Sequence, residues 1–240
     1  MKFLKDYKLF ESYNEVKSLL INPTSNMRSN YNNIIKAINA VCTGFGLNTG
    51  KELLKEIAMV ETRLGTLPGS IRTTGRGGRG PWQIDEIAYR DIISRGKKEF
   101  KVFFNKFKIY TGIDLSQVQW NECNQFLIGC AFARLIMQER GISDNIKDRA
   151  DRALAWKKYY NTVAGKGTPQ KYWEIVSDCN KALAINDPLA GKTYNDYIEE
   201  KDQILAAPDT ESIIQSPLYK QNDASEIDST YVAKKPYISK

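Results

Sequence analysis

Apolar residues recur along most of this chain at three- and four-residue spacing, the period of helices buried along one face. Residues 12–21 and 30–42 read as two short helices, the second striped by Tyr31, Ile34, Ile35, Ile38 and Val41. A turn from Gly44 to Gly50 leads into a helix carrying Leu53, Leu54, Ile57 and Ala58. Helices are predicted over 85–95 and 97–110, the second with Phe100, Phe103, Phe104 and Phe107 on one face and lysines opposite. That stripe fits core packing, and the interleaved lysines leave nucleic-acid stacking as the alternative. Residues 122–139 are apolar nearly all round, which places them at the centre of the fold. Two amphipathic helices follow at about 147–161 and 169–185, the latter with Tyr172, Ile175, Val176, Cys179, Ala182 and Leu183 aligned. Strand-like runs are few and no internal repeat is present. The predicted class is all-α, or mainly α with a small irregular or β loop region.

Two stretches break the pattern. Leu64 to Gly80 is a polar loop with six glycines and three arginines, Arg72, Arg76 and Arg79. A loop of that length inside a compact domain is usually functional or disordered. After about residue 205, Pro208, Ser212, Pro217, Ser225, Ser229 and Pro236 punctuate a weakly patterned tail, read as extended or disordered. The expected organisation is a short segment 1–11, N-terminal helices over 12–44 packed on the domain, a main domain over 45–190, and a tail over 205–240.

Composition narrows the chemistry. The 240 residues contain no histidine, which excludes imidazole acid–base catalysis and His-ligated zinc. Cys42, Cys123, Cys130 and Cys179 lack metal-ligand spacing and read as reduced core thiols. No metal or other cofactor is expected. The longest apolar stretch, Phe126 to Met137, is interrupted by Arg134 and is too short to span a bilayer. The net charge is +7, and the basic excess lies in residues 1–200, because residues 201–240 hold five lysines against six acids. Such a body favours polyanionic partners: nucleic acid, an anionic membrane surface or bacterial cell wall.

Glu61 is the residue out of place. It and Thr62 take the next positions on the stripe of Leu53, Leu54, Ile57 and Ala58, just before Gly65 ends the run. A carboxylate there faces the interior or a cleft wall, where desolvation raises its pKa toward that of a useful general acid. The other reading is a helix-end glutamate that swings into solvent or pairs with Arg63.

Downstream of Glu61-Thr-Arg-Leu-Gly65 comes the glycine-rich loop and then Gly80-Pro81-Trp82-Gln83-Ile84-Asp85. Further on, Tyr160-Asn161 stands at a helix end before the glycine turn of Gly165 and Gly167. In this order the motifs resemble the lysozyme-like superfamily, specifically goose-type lysozymes and soluble lytic transglycosylases, over roughly residues 45–185. The resemblance implies a lysozyme-like fold around the apolar helix and cleavage of the β-1,4 bond between N-acetylmuramic acid and N-acetylglucosamine in peptidoglycan. Glu61 then falls on the catalytic glutamate and Asp85 on an aspartate of the goose-type enzymes, while Gly80, Gln83, Tyr160 and Asn161 fall on cleft positions. Trp82 offers either a face for sugar stacking or a buried ring. Goose-type enzymes have a further aspartate in the loop, where this chain has Thr74, and the loop from Leu64 to Ile84 holds no acid. Hydrolysis with Asp85 as base and transglycosylation on Glu61 alone are therefore both open.

The expected partners are peptidoglycan glycan strands and, for a virion-borne enzyme, virion structural proteins. Residues 1–11, ending Leu9-Phe10-Glu11, look like the cleavable targeting segments of proteins packaged in T-even-like phage heads, or else an ordinary first helix. No secretory signal is recognised, so a phage virion or host cell, with action on the periplasmic wall, is the expected location. A reading of another class is a non-catalytic basic virion-internal or nucleic-acid-binding protein on the same fold.

Overall fold

A computed structural model describes residues 14–47, 49–72, 74–96, 98–142, 145–161 and 165–206. The segment 1–11 and the tail beyond residue 206 lie outside the described residues. The chain is all-α: among the described residues the only pairing of β type is one antiparallel bridge between Arg79 and Ile84. The helices are α1 (Met27–Phe45), α2 (Lys51–Thr62), α3 (Glu86–Gly96), α4 (Lys101–Thr111), α5 (Phe126–Glu139), α6 (Arg149–Ala155), α7 (Pro169–Ala182) and α8 (Tyr194–Ala206). The chain divides into two compact units, residues 1–195 and 196–240. Residues 196–206 of α8 are the described part of the second.

The helix α5 is the hub, with every residue from Phe126 to Met137 buried. Its neighbours α1, α2 and α3 present Ile34, Ile38 and Val41, then Leu54, Ile57 and Ala58, then Ile92, to one continuous core. The helix starts at 126 rather than 122 because Gln125 is extended, with ψ 145°, and its first amides are then satisfied from outside: Phe126 N–H donates to Ile21 O at 3.1 Å and Leu127 N–H to Leu19 O at 3.2 Å. Those carbonyls come from the segment expected to be helical over 12–21. It is helical only over 14–17 among the described residues, and the turn that follows caps α5 instead. Residues Trp120–Asn124 form a separate 3-10 turn.

The phenylalanine stripe on α4 is core. Phe100, Phe104 and Phe107 are buried, and the Phe45 ring meets Phe103 edge-on at 5.6 Å and Phe107 at 5.3 Å. All four cysteines are buried. No helix among the described residues is long and apolar enough to cross a membrane.

A buried ionic staple joins α2, α6 and α7. Glu56, 2% exposed, accepts from Arg152 Nε at 2.6 Å and Nη2 at 2.8 Å, and from the Tyr172 hydroxyl at 2.8 Å. Arg149 lies 3.7 Å from Glu56 and makes a bidentate pair with Asp187 at 2.9 and 3.1 Å. Glu56 precedes Glu61 by five residues on α2, and Arg152 precedes Trp156 by four on the facing helix.

Candidate active site

Glu61 sits in the last turn of α2, and the way that helix ends fixes it. Arg63 and Leu64 both adopt left-handed backbone, with φ of 47° and 62°, and Leu64 N–H closes the helix on Ala58 O at 2.9 Å. Glycine follows because a Cβ at Gly65 would lie 2.5 Å from Pro23. The Thr62 hydroxyl donates to Pro81 O at 2.9 Å and accepts from Gly65 N–H at 2.7 Å, tying the helix end to the turn that follows the loop.

That turn is a tight reversal. Arg79 and Ile84 exchange backbone hydrogen bonds at 3.0 and 2.9 Å, and Gly80 to Gln83 form the four-residue connection. The reversal drives Trp82 inward and turns Gln83 toward the Glu61 side. Trp82 is 0% exposed, with its indole N–H on Leu54 O at 2.9 Å, so the sugar-stacking reading of this ring is corrected. Gly80 is likewise structural rather than substrate-facing. It is buried, its N–H donates to Asn124 Oδ1 at 2.9 Å, and a Cβ there would come within 2.1 Å of Cys123 O. Gln83 is held at φ 48°, a strained conformation for a side-chain-bearing residue. Its Nε2 donates to Ser70 O at 3.0 Å and Gly80 O at 2.9 Å, which engages both amide hydrogens and leaves Oε1 as an acceptor.

The Glu61 carboxylate accepts the indole N–H of Trp156 at 2.8 Å. Burial pushes its pKa above the usual carboxylate range, and the Trp156 bond, which favours the ionised form, pulls partway back. Trp156 opens a π-helical stretch, Trp156–Asn161, that continues α6. Such widened turns shift the side chains that follow and are frequent at functional sites. Here Tyr160 donates its hydroxyl to Trp82 O at 2.6 Å, and burial, reinforced by the charge of Glu61, holds the phenol protonated. Asn161 Oδ1 accepts from Lys157 Nζ at 3.2 Å. Asp85 is exposed, and its Oδ1 caps α3 by accepting from Ala88 N–H at 2.7 Å.

Glu61, Gln83, Asp85, Tyr160 and Asn161 line one cavity of about 160 Å³. Three segments separated by up to a hundred residues thus meet at the carboxylate singled out from the sequence. Arg140 also lines the cavity, its guanidinium on Tyr159 O at 2.7 Å. A larger cavity of about 550 Å³ adjoins it, sharing Asp85, Ala88, Ile136 and Arg140. Thr74 is exposed in the loop.

Three residues of this region carried no assignment from sequence: Trp156, Arg140 and Trp120, which lines the larger cavity. Trp156 stands four residues before Tyr160, in the same helical stretch, and that adjacency was the available signal. Arg140 and Trp120 had none, since their placement depends on contacts with distant residues. Comparison of the chain with known protein families, with curated proteins and with solved structures finds no match.

Proposed function

We propose that this protein cleaves the β-1,4 glycosidic bond of peptidoglycan with Glu61 as general acid. The observation that carries the reading is the convergence of Glu61, Gln83, Asp85, Tyr160 and Asn161 on one cavity around a desolvated carboxyl. The protonated Glu61 carboxyl gives its proton to the leaving glycosidic oxygen as positive charge develops at the anomeric carbon. The Trp156 N–H then stabilises the carboxylate left behind. Gln83 Oε1 accepts from a substrate N–H or hydroxyl, and Asn161 and Tyr160 border the sugar. In the hydrolytic form Asp85 takes a proton from the attacking water.

One observation favours a second outcome at the same site. Asp85 is solvent-exposed and its Oδ1 is engaged as the cap of α3, which leaves Glu61 as the one desolvated carboxylate of the two. Glu61 would then act first as acid and next as base on the substrate's own 6-hydroxyl, giving 1,6-anhydro ends. The nucleic-acid alternative draws less support here. The larger cavity is lined by Asp85, Glu86, Asp91 and Glu139 against Arg76 and Arg140, so the basic excess of the chain is not focused on this face.

The test is clearing of purified cell walls by wild type and Glu61→Gln, with circular dichroism to establish that both fold. Loss of clearing in a folded variant is expected. Equal clearing overturns the assignment of Glu61, and salt-sensitive retention on DNA without any clearing favours the nucleic-acid reading.

A further inference from the structure

We infer that Trp120 is a rigid carbohydrate-stacking platform that extends the Glu61 cavity to further sugar rings of the same strand. The inference rests on the glycosidase reading for the identity of that strand.

Three contacts fix the indole. Its N–H donates to Ile84 O at 2.8 Å, next to the reversal that carries Gln83. The Arg79 guanidinium lies over the ring, 3.8 Å from its centroid. Arg79 is itself 1% exposed and immobilised by hydrogen bonds to Asn121 Oδ1 at 3.1 Å, Gly77 O at 2.9 Å and Gly75 O at 3.0 Å. The glycine-rich loop therefore does not reach a ligand with this arginine; it wraps the side chain and braces the tryptophan. The ring is half-buried against the core, and it lines the 550 Å³ cavity.

The size and composition of that cavity select the occupant. The volume adjoining Glu61 is about 160 Å³, too small for an oligosaccharide, while 550 Å³ lies in the range of specific ligand sites. Apolar surface comes from Ile92, Ile136 and Ile87, the last 83% exposed at the rim. Charge is balanced rather than cationic, because Arg90 pairs with Glu86 and Arg95 with Asp91 and Glu139. An aromatic face with apolar flanks and no cationic excess suits an N-acetylated pyranose and disfavours a phosphodiester strand.

Trp120 also reports on itself. Trp82, Trp156 and Trp173 are at most 3% exposed, so acrylamide quenching of tryptophan fluorescence falls mainly on Trp120. The experiment uses the full chain with Glu61→Gln, so that binding is read without cleavage, and N-acetylglucosamine oligomers of two to six units. Oligomers of four or more units are expected to shield Trp120 from acrylamide and to bind about tenfold tighter than the disaccharide. Trp120→Ala is expected to erase that length dependence, and Trp120→Tyr to keep most of it. Length-independent affinity, unchanged quenching, or protection by a single-stranded oligonucleotide instead of the sugars overturns the inference. If Trp120→Ala fails to fold, quenching in the Glu61→Gln chain with Trp120 intact decides it alone. Length-dependent shielding without wall cleavage by the wild type would retain the platform and remove the glycosidase. Cleavage without shielding would do the reverse.

Discussion

Replacing Glu56 by Gln should cost the fold much of its margin while leaving the shape of the core unchanged. Glu56 is 2% exposed and accepts three hydrogen bonds, two of them from Arg152. The substitution removes one negative charge and turns an amide N–H₂ toward a donor. Arg149 keeps its bidentate partner Asp187 at 2.9 Å, so one guanidinium, not two, loses its counter-charge. Arg152 also keeps the carbonyls of Ile146 and Lys147. Breaking one side of a buried pair costs about 3–5 kcal/mol, and these retained contacts place the expected loss near the lower end, about 3 kcal/mol. In a unit of this size that corresponds to a fall in Tm of roughly 6–12 °C. Differential scanning calorimetry of wild type, Glu56→Gln and the charge-free pair Glu56→Leu/Arg152→Met measures it. The double variant should be more stable than Glu56→Gln, since neither charge is left buried alone. A Tm for Glu56→Gln within 2 °C of wild type, or a double variant less stable than the single, would refute the reasoning.

Three further outcomes follow from the site. Trp156→Phe removes the donor that favours ionised Glu61, so the carboxyl should hold its proton to higher pH; the alkaline limb of the pH–activity profile should move upward, and an unmoved limb would detach Trp156 from the acid. The raised pKa of Glu61 means that the folded state binds more protons than the unfolded state above the ordinary glutamate range. Its contribution to stability therefore falls as pH rises above that range, and Glu61→Gln should gain in Tm relative to wild type as pH is raised from the ordinary glutamate range; no change in the difference would contradict the desolvated carboxyl. Gly80→Ala combines a φ of 70° with a Cβ 2.1 Å from Cys123 O, whereas Gly75 has a φ of 78° in open space. Urea denaturation should find Gly75→Ala down by about 1 kcal/mol and Gly80→Ala by clearly more.

Parts of this arrangement are legible in the chain because one local rule governs them. The helix α5 announces itself as apolar all round, and its burial from Phe126 to Met137 follows. Glu61 stands out because it interrupts a stripe whose other members, Leu53, Leu54, Ile57 and Ala58, are all core. What is not legible depends on partners far away in sequence. Whether Trp82 faces sugar or core is decided by the pairing of Arg79 with Ile84, which reverses the chain and sends the ring onto Leu54. The same reversal brings Trp120 beneath Arg79, so the aromatic that borders a cavity is the one its own neighbourhood does not mark. Residues 12–21 carry a helical pattern, but beyond 14–17 the chain turns and gives its Leu19 and Ile21 carbonyls to the first amides of α5. Helix α8, Tyr194–Ala206, is not legible in the sequence, because its apolar positions are too sparse to mark a face.

The most direct test of the central claim is mass spectrometry of muropeptides released from purified sacculi by wild type and by Glu61→Gln. Disaccharide muropeptides from the wild type and none from the folded variant are the predicted result, with reducing ends assigning Asp85 as base and 1,6-anhydro ends assigning Glu61 to both steps. A wild type that releases no muropeptides, or a variant that releases as many as the wild type, would contradict it.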